Sequence, residues 1–413
     1  MLFPIMGWWS LPHRLTRPEI LENIKRSGVN TFMTCRESPD AIRRQLEMAA
    51  DHGLQAMVCD TRFAPSGESD WREQASAAVE EYRELPAVFG FFVRDEPACQ
   101  DLEQVGAMVG LLRSEAPEKV AYVNAYGCGG RGADSYAEYV EQYARIIRPS
   151  FLSFDCYPIS RPPSKADCDV SYADDCGVEW PEIGAYYRDC YWDAWETFRQ
   201  VCWKYDLPLW GFALATPHAH SVWFYGPVTE GTVRLEVFTG LAHGIHALQY
   251  FTLYGRTSPS YSEGVLTADG QPSEQHPFFS QVNREVSVLG AIVRELRCTG
   301  VFHTGPLTSG CRRFTTPRPG RDTSHRPLAA LSGDPCIVSF LRGEDGQRHI
   351  MFVNRNPAKA GRILAELEDG WQAGQLEASN GTECGLDGPR IRIDLEPGDG
   401  MLFRLHPPAD DVP

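Results

Sequence analysis

Residues 87–97 read Ala-Val-Phe-Gly-Phe-Phe-Val-Arg-Asp-Glu-Pro, an apolar run that ends in two carboxylates and a proline. Side chains alternate across a strand, so Phe89, Phe91, Val93 and Asp95 share one face, and Gly90, Phe92, Arg94 and Glu96 share the other. The first face suits packing beneath helices, and the second suits the lumen of a parallel barrel. Pro97 has no N–H to give to a sheet, so pairing is expected to stop where the carboxylates emerge. The C-terminal mouth of a barrel strand is where such folds place their chemistry. Strand phase therefore sends Glu96 into the lumen and turns Asp95 toward the scaffold.

On either side of this strand the same grammar repeats. Short apolar runs alternate with helical patterns through the first 300 residues, giving eight consecutive βα units. The expected strands are Leu2 to Trp8, Val29 to Cys35, Leu54 to Asp60, residues 87–97, Val120 to Tyr126, Phe151 to Tyr157, Leu207 to Ala215 and His246 to Leu253. Helices are expected between them, for example Asp40 to His52, Leu102 to Glu115, Tyr136 to Ile147 and Thr229 to His243, with a last one near Pro277 to Arg297. Right-handed crossovers in an unbroken series predict an α/β fold, a closed (β/α)8 barrel over residues 1–300. No GxGxxG follows a strand, and Gly127-Cys128-Gly129-Gly130 opens no helix, so it reads as a loop rather than a phosphate cradle. A long Pro- and Asp-rich insertion follows the sixth strand. Residues 301–335 read as a linker or long loop, and residues 336–413 as a small antiparallel β-sandwich, with strands such as Ile337 to Leu341, His349 to Asn354 and Gly400 to Leu405.

Composition narrows the class. With 413 residues, 43% of them hydrophobic, the chain can bury a large core. A formal charge of −16 argues against nucleic acid and anionic membranes as partners. Residues 1–10 lack the basic start and small-residue cleavage site of a signal peptide, and no apolar run reaches the roughly 18 to 20 residues of a membrane span. Thirteen cysteines, an odd number scattered through presumed strands and helices, suggest reduced thiols and a cytoplasmic location. Cys156, Cys168, Cys176 and Cys190 fall close together, yet their spacing matches no zinc pattern. A homo-oligomer is compatible with these features.

The residues in phase at the strand ends form a distinctive set. Glu96 and Asp155 point inward on strands 4 and 6, with Asn124 and Tyr126 on strand 5. Asp60 closes strand 3, Trp8 and Trp9 close strand 1, Tyr157 ends strand 6, His218 and His220 follow strand 7, and strand 8 carries Gln249 and Tyr250. Aromatic faces cover the C–H face of a pyranose, amides and carboxylates bind its hydroxyls, and paired carboxyls flank a scissile glycosidic bond. Burial would raise the Glu96 pKa toward that of a general acid, while Arg94 beside it would oppose the rise. No metal or other cofactor is implied, and the expected partner is a carbohydrate substrate.

Gly90-Phe91-Phe92-Val93-Arg94-Asp95-Glu96-Pro97, Tyr122-Val123-Asn124, Phe154-Asp155-Cys156-Tyr157-Pro158 and the stretch from Leu241-Ala242-His243-Gly244-Ile245 through Gln249-Tyr250-Phe251-Thr252 occur in order along the barrel. Together they resemble the barrel of clan A glycoside hydrolases, in particular the β-galactosidase-like and agarase-like branches, which carry Asp-Glu-Pro where others have Asn-Glu-Pro. The resemblance implies that Glu96 is the general acid/base on strand 4. It also implies a glutamate nucleophile at the end of strand 7, but Leu207 to His220 contains no glutamate. Asp155, in phase two strands from Glu96, is the expected second carboxylate. Glu230, next to Thr229, reads better as a first-turn helix residue. Two other readings fit the same residues. One is a non-catalytic carbohydrate-binding protein on a degenerate barrel; the other is a metal-dependent hydrolase or lyase using Asp60, Asp155 and His218.

Overall fold

The computed structural model describes residues 2–64, 70–161, 190–220, 223–255, 261–315 and 327–408. Eight parallel strands close into a barrel: β1 (Ile5–Trp8), β2 (Thr31–Met33), β3 (Gln55–Val58), β4 (Val88–Asp95), β5 (Val120–Tyr126), β6 (Leu152–Asp155), β7 (Leu209–Leu214) and β8 (Ile245–Phe251). Each is followed by its helix: α1 (Pro18–Arg26), α2 (Pro39–Asp51), α3 (Trp71–Tyr82), α4 (Leu102–Glu115), α5 (Tyr136–Ile147), α6 (Tyr191–Tyr205), α7 (Glu230–Ala242) and α8 (His276–Val293). Local chemistry fixes several helix starts. Ser38 and Ser135 accept hydrogen bonds from Ala41 N and Glu138 N, and Thr229 caps α7 through Thr232 N. Pro18 and Pro39 occupy first-turn positions where a missing N–H costs nothing.

Inside the barrel, bulky rings fill the lumen. Trp210 stacks on Phe151 at 4.0 Å, and above them Tyr122 meets Phe92 at 6.0 Å and Trp8 at 5.9 Å. The floor of the mouth is thus a packed aromatic plug and not a channel. Three short antiparallel strands, Ser160–Arg161, Trp223–Tyr225 and His218–His220, add a small sheet beyond the ends of β6 and β7.

The C-terminal domain has two sheets. One contains β9 (Leu296–His303), β11 (Cys336–Gly343), β12 (Arg348–Asn354), β14 (Gln372–Leu376), β15 (Glu383–Gly385) and β17 (Gly400–His406). The other contains β10 (Leu328–Gly333), β13 (Gly361–Leu367) and β16 (Arg390–Leu395). Val338, Ile350, Ile363, Ile391 and Phe403 form the core between them. The domain begins earlier than the sequence suggests: β9 lies where the last helix was expected to end, and β10 lies inside the expected linker. A helix running to Arg297 would have to continue through Cys298-Thr299-Gly300, whose alternating burial is that of a strand pairing with β11.

The larger sheet turns its other face to the barrel, where Ile337, Met351, Val353 and Leu402 join the main core. Helix α7 lies between the two and is buried along Gly231–Ala242, so apolar residues recur on all its sides and its buried charged side chains are paired or hydrogen-bonded. Its Arg234, 7% exposed, pairs with Glu285 at 2.7 Å, Glu230 at 2.9 Å and Asp399 at 3.0 Å, tying α7 to α8 and to the sandwich. Replacing Arg234 by Met strands these carboxylates in a partly dry interface. The expected loss is about 2–4 kcal/mol, read as a lower urea midpoint. An unchanged midpoint would show that the triad does not hold the domains together.

Candidate active site

A one-way chain of hydrogen bonds organises the mouth. Tyr122 Oη donates to Gln249 Oε1 at 2.5 Å, and Trp8 Nε1 donates to the same oxygen at 3.4 Å. Gln249 Nε2 donates to Ser153 Oγ at 2.9 Å, and Ser153 Oγ donates to Asn124 Oδ1 at 2.9 Å. The Asn124 amide is thereby oriented with its nitrogen toward the mouth, where Nδ2 donates to Asp155 Oδ1 at 2.8 Å and to Asp95 Oδ1 at 3.2 Å. One amide nitrogen therefore holds two carboxylates from β4 and β6.

Asp95 faces the lumen, not the scaffold. The pairing of β4 with β5 shifts register between Phe92 and Arg94, so that Asp95 lies opposite Asn124 and Arg94 opposite Val123. A bulge inserts one residue and inverts the phase of everything after it. Phe92 and Asp95 consequently share the inner side, while Arg94 turns out toward Asp101, 4.0 Å away. Glu96 follows at φ 45°, a left-handed conformation rare for a side chain of this size. Its backbone N–H donates to Asn124 O at 2.9 Å. The cation beside Glu96 is Arg131, not Arg94: Arg131 Nη2 lies 3.0 Å from Glu96 Oε2, with its guanidinium over the Tyr126 ring at 4.2 Å. On the opposite flank, Gly127 allows β5 to end against β6, since a Cβ there would lie 1.7 Å from Asp155 O.

Three carboxyls thus share one end of the barrel. Enclosure by protein and then the charge of Asp155 push the Asp95 and Glu96 pKa values up, against the partial relief that Asn124 gives Asp95 and Arg131 gives both. Asp95 also opens onto the water of the cavity, which moderates the effect of enclosure on it. Asp60 behaves differently. Its burial would raise the pKa, but hydrogen bonds from Arg62 (2.7 and 3.0 Å) and Tyr82 (2.9 Å) hold it below the usual range.

The other expected site residues divide. Trp8 is buried among Phe92, Tyr122 and Phe212, so it floors the mouth, and Trp9, 36% exposed, is the accessible ring. Asp60 is committed to Arg62. Tyr126 supports Arg131. The Tyr157 hydroxyl is buried without a hydrogen-bond partner among the described residues, its ring against Phe251 and Tyr225. His218 is stacked between Tyr225 at 4.9 Å and Tyr261 at 5.0 Å, with Nδ1 donating to Thr216 O. Gln249 belongs to the hydrogen-bond chain. Tyr250 does not reach the mouth: it alternates with Gln249, faces α8, and donates to Asn283 Oδ1 at 2.7 Å. Glu230 sits in the first turn of α7, against Arg234. Among the described residues no group of three His, Cys, Asp or Glu could hold a metal ion. The side chain of His220, the insertion after β6, Cys168 and Cys176 lie outside the described residues.

Several participants were not anticipated. Arg131 sits in the glycine-rich loop, which has no phosphate-binding pattern. Tyr122 and Ser153 lie in inward phase, but carry no charge to draw attention. Glu236 is buried on α7, where desolvation raises its pKa and its Oε2 accepts from Leu214 N at 2.8 Å at the end of β7. A cavity of about 280 Å³ opens over β1 to β4, lined by Trp9, Arg36, Phe92, Arg94 and Asp95 among others.

No protein-family model matches the sequence, and no curated relative matches it. Solved structures do share its architecture. A glycoside hydrolase family 5 structure from Bacteroides vulgatus is 12% identical with a TM-score of 0.58, covering 100% of this chain and 90% of that one. Alpha-galactosidase I from Mortierella vinacea is 11% identical with a TM-score of 0.53, covering 98% of each chain. The beta-galactosidase of the psychrophilic Marinomonas ef1 is 14% identical with a TM-score of 0.52, and the match covers 71% of this chain but only 62% of that one. The chain shares the fold of these glycoside hydrolases, a (β/α)8 barrel with a C-terminal β-sandwich.

The raised carboxyls make a stability prediction. A carboxyl whose pKa is higher in the folded than in the unfolded chain holds its proton better when folded. Its contribution is full below the unfolded value of about 4 and is lost as pH rises through the folded one. Asp95→Asn keeps the acceptor for Asn124 and removes the charge. It is expected to raise the thermal midpoint at neutral pH and to change it little near pH 4. An equal gain at both pH values would mean that charge is not the cause.

Proposed function

We propose that the protein is a glycoside hydrolase that cleaves the glycosidic bond of a short glycan or small glycoside. The observation that carries this reading is the meeting of Asp95, Glu96 and Asp155 at the C-terminal ends of β4 and β6, with the first two protonated more readily than ordinary carboxyls. Glu96 is the proposed general acid, donating its proton to the departing oxygen. Asp155, an acceptor for the Asn124 N–H, is the proposed anion facing the anomeric carbon, either as nucleophile or as base for water. Asp95 adds negative charge that favours the cationic transition state and keeps the acid protonated.

Binding uses the same surface. Trp9 offers an accessible ring to the apolar face of a sugar. The reaction needs no cofactor, and the proposed setting is the cytoplasm, in keeping with buried thiols such as Cys35, Cys59, Cys202 and Cys298.

A panel of nitrophenyl glycosides and oligosaccharides tests the activity. On any substrate released by the wild type, Glu96→Gln and Asp155→Asn are each expected to lower kcat by about a thousandfold or more, within the range of lost acid and nucleophile catalysis. If every sugar in the panel survives the wild type while Glu96→Gln binds glycans unchanged, the protein is a lectin-like barrel instead. Arg131→Gln gives an independent check on the acid. Losing the cation raises the Glu96 pKa further, so the alkaline limb of the kcat/KM profile is expected to move to higher pH. A limb that stays in place would exclude Glu96 as its origin.

A further inference from the structure

The cavity over β1 to β4 is lined by two arginines, Arg36 and Arg94, and by two carboxylates, Asp60 and Asp95, the latter held by the Asn124 amide. Asp60 at its edge is already neutralised by Arg62. Arg94 has a carboxylate no nearer than 4.0 Å, and Arg36 has no ion-pair partner among the described residues. The acid next to Arg36 in sequence, Glu37, accepts from His13 N at 2.8 Å. Arg36 is nonetheless held in place: its guanidinium lies 4.8 Å from the centre of the Phe92 ring, and Phe92 is fixed edge-on against Trp8 at 5.8 Å.

An arginine pinned over an aromatic ring, in a concave site, with no carboxylate in ion-pair contact among the described residues, is suited to receive a planar or tetrahedral oxyanion. Trp9 and Phe92 beside it suit the ring that carries such a group. The cavity, about 280 Å³, is near the lower bound of small-molecule sites, which suits a single sugar residue. We infer that this mouth selects a sugar bearing an anionic substituent, a carboxylate or a sulfate, and that Arg36 is the residue that recognises it. The inference rests on the glycoside hydrolase reading for the cleavage step, but not for binding itself.

The competing role for Arg36 is to offset the charge of Asp95. That role would affect every sugar alike, whereas recognition of a substituent affects only the sugars that carry one. Isothermal titration of wild type and Arg36→Gln with glucuronate, galacturonate and galactose 6-sulfate, against glucose and galactose, separates the two. At least one anionic sugar is expected to bind the wild type about tenfold more tightly than its neutral parent. In Arg36→Gln that preference is expected to fall to within about twofold, with the neutral sugar unaffected. Whether the uronates or the sulfate show the preference distinguishes carboxylate from sulfate. The inference is overturned if no anionic sugar binds, if neutral sugars bind the wild type equally well, or if Arg36→Gln weakens both kinds alike. Arg36-dependent binding without release of any aryl uronide or sulfated glycoside would overturn the hydrolase reading alone.

Discussion

The amide of Asn124 can satisfy its neighbours in only one orientation, and the mouth depends on that constraint. Its oxygen accepts from Ser153, which accepts from Gln249, whose own oxygen is taken by Tyr122 and Trp8. Every donor in the series points from the packed lumen toward the C-terminal end of the barrel. The last nitrogen therefore has no option but to donate, and it donates to Asp155 and Asp95. Donors aligned in series polarise one another, so carboxylates held by the last member meet a stronger donor than an isolated amide. The series also fixes where the carboxyls stand without using a charge, leaving the cations of the mouth for other tasks.

The backbone imposes a second constraint on the same groups. A straight β4 would present either Asp95 or Glu96 to the lumen, never both. The register shift brings Asp95 inward, and the left-handed Glu96 that comes next lets its carboxyl turn back toward the mouth instead of away from it. Arg131 then closes on Glu96 through both its carboxylate and its carbonyl. Two costs coincide here, a strained backbone and crowded like charge. Both are borne by a barrel whose aromatic plug and buried hydrogen bonds lie immediately below. Conflict between local preference and overall fold, concentrated at one place, is what a functional site imposes on a stable scaffold.

Legibility in the sequence followed the same division. The eight barrel strands and their helices could be read because short apolar runs alternate with longer helical patterns, some of them opened by Ser, Thr or Pro, and these are local signals. Asn124, Asp155 and Gln249 could be placed on the inner face because nothing disturbs the alternation of β5 and β6, and the register shift of β8, between Ile245 and Ala247, comes before Gln249. Asp95 was assigned to the wrong face because a bulge is a property of pairing, and no residue in Phe-Phe-Val-Arg-Asp announces it. Tyr250 was misplaced by a simpler error, since neighbours on a straight strand cannot both face the lumen. Arg131 was missed because its contact with Glu96 is made by a loop over 35 positions of chain. The strand Leu328–Gly333 was missed because turn-rich flanks hide a segment whose partners are far away in sequence.

The absence of a glutamate on β7 can be understood from how α7 is packed. In this chain the carboxyl near the end of β7 is Glu236, which reaches back from the helix to bind Leu214 N and is fully enclosed. Helix α7 is pressed between the barrel and the larger sheet of the sandwich, and desolvation raises the pKa of this carboxyl well above the ordinary value. A carboxyl whose anion burial disfavours can anchor a helix to a strand, but it is poorly suited to supply the anion that the proposed cleavage calls for. The charge for that chemistry must come from strands whose ends remain open to solvent, and β4 and β6 are where Asp95, Glu96 and Asp155 are found. The sandwich docked on α7 thus encloses the carboxyl at the end of β7, while Asp155 stands open at the end of β6, the strand paired with β7, and Asp95 and Glu96 stand at the end of β4.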